Sequence, residues 1–131
     1  MKEVTIKGRT YKLPLYLPDA TRAVVKSLTT KEAEDLGIEA CVVNTYHLIQ
    51  TPGLEVLKQY GGVKKFMNFE GLVTSDSGGW QIFSLIHRDN RPGKITDEGV
   101  IFNFGGKNSR KNIFTPEKSI RAQFAIGSDI I

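Results

Sequence analysis

Residues 73–84 read Val73-Thr-Ser-Asp-Ser-Gly-Gly-Trp-Gln-Ile-Phe-Ser84, VTSDSGGWQIFS. A short apolar run, strand-like over residues 71–75, empties into the carboxylate of Asp76, the hydroxyl of Ser77, two glycines and the indole of Trp80. In α/β folds the C-terminal ends of parallel strands open onto loops and helix N-termini, and chemistry is placed there. The stretch therefore poses two questions: whether this strand belongs to a parallel set, and what an acid and a large flat ring do around two residues that have no side chain.

Working outward, Cys41-Val-Val43 reads as a second buried strand, ending in the polar Asn44-Thr-Tyr-His47. Residues 4–17 read as two short strands, VTIK and YKLPLYL, around Lys7-Gly8-Arg9, with Asp19 following. Pro14 and Pro18 disfavour a central antiparallel place for the second. Thr29 and Glu32 have capping-box spacing and Gly37 is a stop, which predicts a short helix over 30–36. Thr51-Pro52 predicts an N-cap with proline at the first helical position. Leu54 and Leu57 share a face of that helix, which ends near Tyr60 before Gly61-Gly62. The run ITDEGVIFNF, a Gly-rich polar turn and NIF predict an inserted hairpin. Thr115-Pro116-Glu117 opens the last helix, Ile120 and Phe124 lie four apart on one face, and Gly127 closes it. The chain then finishes in Ser128-Asp-Ile-Ile131.

Without the hairpins the order is β-α-β-α-β-α-β, which argues for a parallel α/β sheet. Four βα units are half of an eightfold barrel, which needs roughly 250 residues. The expected fold class is thus α/β: a partial (β/α)8 TIM-barrel, the first four βα units with an inserted β-hairpin and a short N-terminal hairpin. Residues 1–131 are expected to be the N-terminal portion of a larger protein, because the sequence stops inside an apolar strand whose backbone groups need a neighbour.

Composition narrows the class. A chain of 131 residues with 40% hydrophobic and 24% charged residues suits one soluble globular domain. No apolar run approaches the ~20 residues of a membrane span, and the N-terminus lacks an apolar signal core. The expected location is cytoplasmic, with no membrane partner. A net charge of +4 is compatible with a nucleic-acid partner without establishing one. The densest basic cluster is Lys107, Arg110 and Lys111. One cysteine and two histidines argue against a complete zinc site, so no metal ligand is assigned. Cys41, in an apolar run, is read as a buried, inert thiol.

At the strand end, Asp76 can accept a proton or hydrogen-bond a ring N–H. Ser77 can donate or accept. Gly78 and Gly79 let a ligand approach the backbone, and Trp80 offers a flat apolar face. Together they suit a flat heterocycle with polar edges, such as a nucleobase held by stacking and edge hydrogen bonds. The same letters also fit a tight SGG turn capped by Asp76 with Trp80 in the core, or a phosphate cradle. Asn44 and Tyr46 could touch a sugar or base, and His47 could act as a general base. Asp19 could cap the next turn, and His87, beside Arg88 and Asp89, reads as surface.

Thr74-Ser-Asp-Ser-Gly-Gly-Trp-Gln-Ile-Phe-Ser-Leu85 resembles the signature segment of the tRNA-guanine transglycosylases, the queuine tRNA-ribosyltransferase family. Val43-Asn-Thr-Tyr-His-Leu48, Pro52-Gly-Leu-Glu-Val56 and Gly61-Gly-Val-Lys-Lys-Phe-Met-Asn68 resemble further segments of it. So do Ile95-Thr-Asp-Glu-Gly-Val100, Phe114-Thr-Pro-Glu-Lys-Ser119 and Ala125-Ile-Gly-Ser-Asp-Ile-Ile131, in the family's order and with similar spacing. The resemblance implies an irregular (β/α)8 barrel that exchanges a guanine in tRNA for a 7-deazaguanine base, queuine or a precursor, through a covalent ribosyl-enzyme intermediate. By motif, Asp76 resembles the proton acceptor beside the base. Ser77, Gly78 and Gly79 resemble the backbone of the base pocket. Trp80 resembles the stacking aromatic, where the family usually carries Phe or Tyr, and Asn44 and Gln81 resemble residues near the ribose. The resemblance puts the nucleophilic Asp, and the ligands of a structural zinc, beyond Ile131, so this chain alone is expected to be inactive and to hold no cofactor. The implied partners are tRNA and a guanine or 7-deazaguanine base, with a homo- or heterodimer left open. Two rival readings are a paralogue that inserts deazaguanine into DNA and a non-catalytic nucleic-acid-binding partner or remnant.

Overall fold

The computed structural model describes residues 2–88, 93–102 and 112–131. The chain opens with an antiparallel hairpin, β1 (Lys2–Ile6) and β2 (Arg9–Leu13), turned at Lys7-Gly8. β2 stops at Leu13, so the expected strand through Leu17 is cut short where Pro14 removes a backbone donor. Residues 18–20 then run beside β3 (Ala40–Val43): Val42 N–H donates to Pro18 O at 3.1 Å and Ala20 N–H to Val42 O at 2.7 Å. Between them lies α1 (Thr30–Asp35), with the capping box of Thr29 and Glu32 formed as the spacing requires.

Three short helices follow β3: α2 (Thr45–Gln50), α3 (Leu54–Tyr60) and α4 (Val63–Met67). The sequence reading missed α2 and with it misplaced the start of α3. Thr51 does not cap α3; its N–H donates to His47 O at 2.8 Å and terminates α2, leaving Gly53 as the N-cap of α3. Gly61, at φ 81°, ends α3 in the left-handed conformation that glycine adopts at least cost. β4 (Leu72–Ser75) pairs parallel with β3, Ala40 opposite Leu72 and Val43 opposite Ser75.

α5 (Gly79–Arg88) follows β4 directly, a helix that reading the stretch for its chemistry passed over. β5 (Gly93–Thr96), β6 (Gly99–Phe102) and β7 (Asn112–Phe114) make a small antiparallel sheet, so the expected hairpin has a third strand. The basic cluster Lys107, Arg110 and Lys111, with Asp89, lies outside the described residues. α6 (Pro116–Ile126) is capped by Thr115 and closed by Gly127 as predicted, and the chain returns to β4, where Ser75 N–H donates to Ile130 O at 3.0 Å.

The architecture is a mixed α/β fold with three small sheets among the described residues. Single parallel bridges at Asp19–Val42 and Thr74–Ile130 extend the two-stranded parallel sheet on both sides, so four passes of chain lie side by side in one direction. The main core is built where the helices cover these passes: Cys41, Val43 and Val73 from the strands meet Leu48, Leu57, Val63, Met67 and Ile126. Each fully buried Leu or Ile there contributes about 1.5–3 kcal/mol. A second cluster joins Tyr46, Ile82 and Phe114, with Leu85, Ile86 and Val100 packed on it. It fastens α5 and the antiparallel sheet to α2.

α6 turns the face that carries Ile120 and Phe124 to solvent, Phe124 being 70% exposed. The buried stripe is Ser119, Ala122, Gln123 and Ile126, spaced three, four and seven residues from the first. Two of those four are polar, and their hydrogen bonds explain the choice.

Candidate functional site

The site is made where β4 ends. Asp76 N–H donates to Val43 O at 3.2 Å, carrying the parallel pairing one residue past the strand. The chain then turns through Ser77 and Gly78 into α5. Gly78 has φ 73°, and a Cβ there would lie 2.9 Å from Tyr46 N, so both the turn and the packing against α2 require glycine.

Three N–H donors fix the Asp76 carboxylate. Oδ1 accepts from Thr45 N at 3.0 Å and from Gly78 N at 2.9 Å, and Oδ2 accepts from Asn44 Nδ2 at 2.7 Å. The Gly78 bond closes an Asx-type turn, so the expectation of a capped tight turn holds. The residue is nevertheless exposed. Asn44 works in two directions: its Oδ1 accepts from His47 N at 3.0 Å as the N-cap of α2, while its amide nitrogen holds Asp76. Asn44, Asp76, Ser77 and Gly78 are thus brought together. The core alternative for Trp80 fails: the indole is 76% exposed, one residue into α5, and stacked on Phe83 with centroids 5.7 Å apart. Gln81 lies half-buried in the same turn of α5, and Gly79 is exposed.

Other candidates are placed differently. Tyr46 is 5% exposed within the second core cluster, so the expected sugar or base contact through its ring is corrected: the ring packs rather than reaches out. His47 is half-buried with its ring edge-on to Tyr46 at 5.3 Å. The Asp19 carboxylate accepts the Thr21 hydroxyl at 2.6 Å, a local turn contact. His87 is on the surface as expected. Cys41 is fully buried, and desolvation pushes its thiol pKa up to about 11, in keeping with an inert group. Among the described residues no group of three or more His, Cys, Asp or Glu is placed to hold a metal ion, and no helix is long and apolar enough to cross a membrane.

The structure adds residues that the sequence reading overlooked. Each carbonyl from Ser75 to Ser77 receives a side-chain donor. Ser119 Oγ donates to Ser77 O at 2.7 Å and Thr45 Oγ1 donates to Asp76 O. The Gln123 amide, oriented as its hydrogen bonds require, donates to Ser75 O at 3.0 Å, with Asp76 O at 3.2 Å. Ser75 Oγ in turn meets Ser128 Oγ at 2.7 Å. Gln123 is 2% exposed, so these bonds form in a low-dielectric setting where they are costly to lose. The signal available in sequence was the polar pair Ser119 and Gln123 on the same stripe as Ala122 and Ile126. A cleft of about 340 Å³ opens beside the loop, walled by Ser77, Gly79, Val100, Phe114 and Ile120 among others; neither Asp76 nor Trp80 lines it.

A carboxylate held in place yet exposed can accept a proton from a ring N–H that reaches it, and an exposed indole four residues on offers a flat face for stacking. The family model described as queuine tRNA-ribosyltransferase matches residues 1–131. A queuine tRNA-ribosyltransferase of Pseudoalteromonas translucida is 42% identical over 118 residues, 90% of this chain and 30% of that protein. Those of Thermoanaerobacter pseudethanolicus and Desulforudis audaxviator are each 44% identical, over 118 and 117 residues. The chain spans about 30% of the length of these relatives.

Proposed function

This chain belongs to the queuine tRNA-ribosyltransferase family, and from that premise we propose that it supplies the proton acceptor and part of the base pocket for exchange of a guanine in tRNA for a 7-deazaguanine base. The four parallel passes fit the first four strands of a (β/α)8 barrel, with the site at their C-terminal ends, where such barrels carry their chemistry.

The exchange has two halves. The bond between the ribose C1′ and the guanine ring nitrogen breaks, its electron pair leaves with the base, and a nucleophilic carboxylate bonds to C1′. The departing base gains a proton from solvent water, and the proton taken from the incoming base is returned to solvent afterwards. The incoming base then loses the proton on its corresponding ring nitrogen, whose lone pair attacks C1′ and releases the carboxylate. Asp76 takes that proton from the incoming base. Its three N–H donors hold the carboxylate in position, and no cation among the described residues pairs with it. Trp80 stacks on the base, the backbone of Ser77, Gly78 and Gly79 borders it, and Asn44 and Gln81 stand toward the ribose. Asn44 also positions Asp76. The nucleophile has no motif counterpart in residues 1–131, so a covalent ribosyl intermediate needs a carboxylate from outside them.

The observation that carries this reading is the Asp76 carboxylate, anchored at a parallel strand end and exposed, with an exposed indole four residues later in the chain. The test is incorporation of labelled guanine into tRNA by residues 1–131 joined to the remaining segment of the Thermoanaerobacter pseudethanolicus relative. Asp76→Asn should nearly abolish incorporation while tRNA affinity stays close to native. Exchange that survives Asp76→Asn refutes the role of Asp76. Robust exchange by residues 1–131 alone refutes the need for an outside nucleophile.

A further inference from the structure

α5 segregates its apolar residues by shape. Ile82, Leu85 and Ile86, all aliphatic, pack inward with Tyr46 and Phe114. Trp80, Phe83 and His87, all flat rings, lie on the exposed side at spacings of three and four. Trp80 is 76% and Phe83 43% exposed. The rings touch in series: Trp80 stacks on Phe83 at 24° between planes, and Phe83 meets His87 at 4.3 Å between centroids. A helix that needed only a core would gain nothing from three exposed rings in a row, since exposed apolar surface costs solvation and marks an interaction site.

We infer that the Trp80–Phe83–His87 ladder is a binding surface for unpaired nucleotides next to the exchanged base. The inference rests on the nucleic-acid part of the proposed function and extends it beyond the base at Trp80. Three observations select this occupant. The ladder is continuous with the candidate site through Trp80. Its members are π-faced, and every base has a π-face, so stacking on such rings tolerates any sequence. Its length also suits a strand: Trp80 and His87 are about 10 Å apart along the axis at ~1.5 Å per residue, roughly three steps of ~3.4 Å along one strand. Charge agrees, since the chain carries a net +4 and Lys94 is exposed on β5. The start of that strand abuts α5, with Gly93 against the Ile86 side chain.

The test separates this surface from the base site with two probes. The first is a short single-stranded oligouridylate carrying a fluorescent label, which contains no guanine and reports on the ladder by anisotropy. The second is free 7-deazaguanine, read by quenching of Trp80, the one tryptophan of the chain. Phe83→Leu and His87→Ala are made in the full chain, with slow labelling of buried Cys41 as the check that each is folded. The oligouridylate should bind saturably, more tightly than a duplex of equal length, and each variant should weaken it about tenfold. His87→Ala should leave the response to 7-deazaguanine unchanged. Absence of saturable oligouridylate binding overturns the inference. So does an affinity within about twofold of native in both variants, since loss of a stacking ring costs more than that. A concentration-dependent dimer that both variants abolish also overturns it, because the rings then cover a second copy of the chain. Should 7-deazaguanine leave Trp80 unquenched while oligouridylate binding still depends on Phe83 and His87, the ladder stands and the base reading falls.

Discussion

Replacing Gln123 by leucine tests whether α6 holds the site. The side chain is 2% exposed, and its amide donates to Ser75 O at 3.0 Å and lies 3.2 Å from Asp76 O. Leucine is close in volume, so little cavity results, and the loss is one of hydrogen bonding. Asp76 O keeps the Thr45 hydroxyl, and Ser75 Oγ keeps Ser128. Ser75 O loses the Gln123 donor inside a dry interface. A buried acceptor stripped of its partner costs about 1–3 kcal/mol; the added apolar burial offsets part of this, leaving about 1–2 kcal/mol of destabilisation. At ordinary urea sensitivities of roughly 1–3 kcal/mol per molar, the midpoint should fall by about 1 M. The assay is urea unfolding followed together by far-ultraviolet circular dichroism and by Trp80 emission. The structure makes a second demand. Since Gln123 and Ser119 hold the carbonyls on which Asp76 turns, Gln123→Leu should also weaken 7-deazaguanine quenching of Trp80 in the folded protein. Stability within about 0.5 kcal/mol of native, the usual effect of an unimportant surface change, together with unchanged quenching, would refute the argument that α6 buries polar residues to fix the loop.

Gly78→Ala should cost at least ~1–2 kcal/mol, because φ 73° is a left-handed conformation and the new Cβ would crowd Tyr46 N at 2.9 Å; Gly79→Ala, which meets only Ser77 Oγ at 3.3 Å, should be milder, and equal urea midpoints for the two would count against the turn described. Asp129 sits with its side chain nearly buried: burial pushes its pKa up, but the Val73 N–H and the Lys7 and Lys64 ammoniums, at 3.0 and 3.2 Å, outweigh it and hold the pKa below the ordinary carboxylate value. A lowered folded pKa means a contribution fully present above about pH 4, the unfolded value, and lost as pH falls through the folded one; the stability gap between native protein and Asp129→Asn should therefore be flat from neutral to mildly acidic pH and close at strongly acidic pH. Cys41, buried and raised to about 11, should react with a thiol reagent at pH 8 only as fast as the fold opens, and labelling at the rate of a free peptide thiol would contradict its place in the core.

The sequence made visible what depends on neighbours in the chain. Thr29 with Glu32, Thr115 with Pro116, and Gly61 and Gly127 mark helix ends through local hydrogen bonds and backbone freedom, and the structure keeps all of them. The apolar runs at Cys41 and Val73 marked the two parallel strands, because a strand buried on both faces must be apolar throughout. What stayed hidden depends on contacts far along the chain. Ile120 and Phe124 share a face of α6, and nothing near them says that the buried stripe is the one with Ser119 and Gln123, wanted there by carbonyls more than 40 residues earlier. The Asn44-Thr-Tyr-His stretch reads as a polar loop until Asn44 is seen capping its own helix and reaching across to Asp76. Residues picked for chemistry thus also do structural work, and Tyr46 does only the latter in the contacts described.

This double use explains why the site and the fold are not separable here. The carboxylate of Asp76 is held by the N-terminus of α2, while the carbonyls around it are held by α6. α6 is itself set by the returning chain, where Ser128 meets Ser75 and Asp129 binds the backbone of Val73. The passes on either side of β4 thus each deliver polar groups, Asn44 and Thr45 to the loop from one and Ser128 and Asp129 to the strand from the other. A loop that must present an acid to solvent cannot be buried, so it cannot be fixed by apolar packing from outside. Fixing it from beneath, through satisfied polar groups in the layer of helices, leaves its upper side open to a ligand. That arrangement predicts where variation is tolerated: substitutions on the exposed faces of Trp80 and Phe83 should alter binding with little change in stability, whereas Thr45, Ser119 and Gln123, which touch no ligand in the proposed exchange, should lose both together.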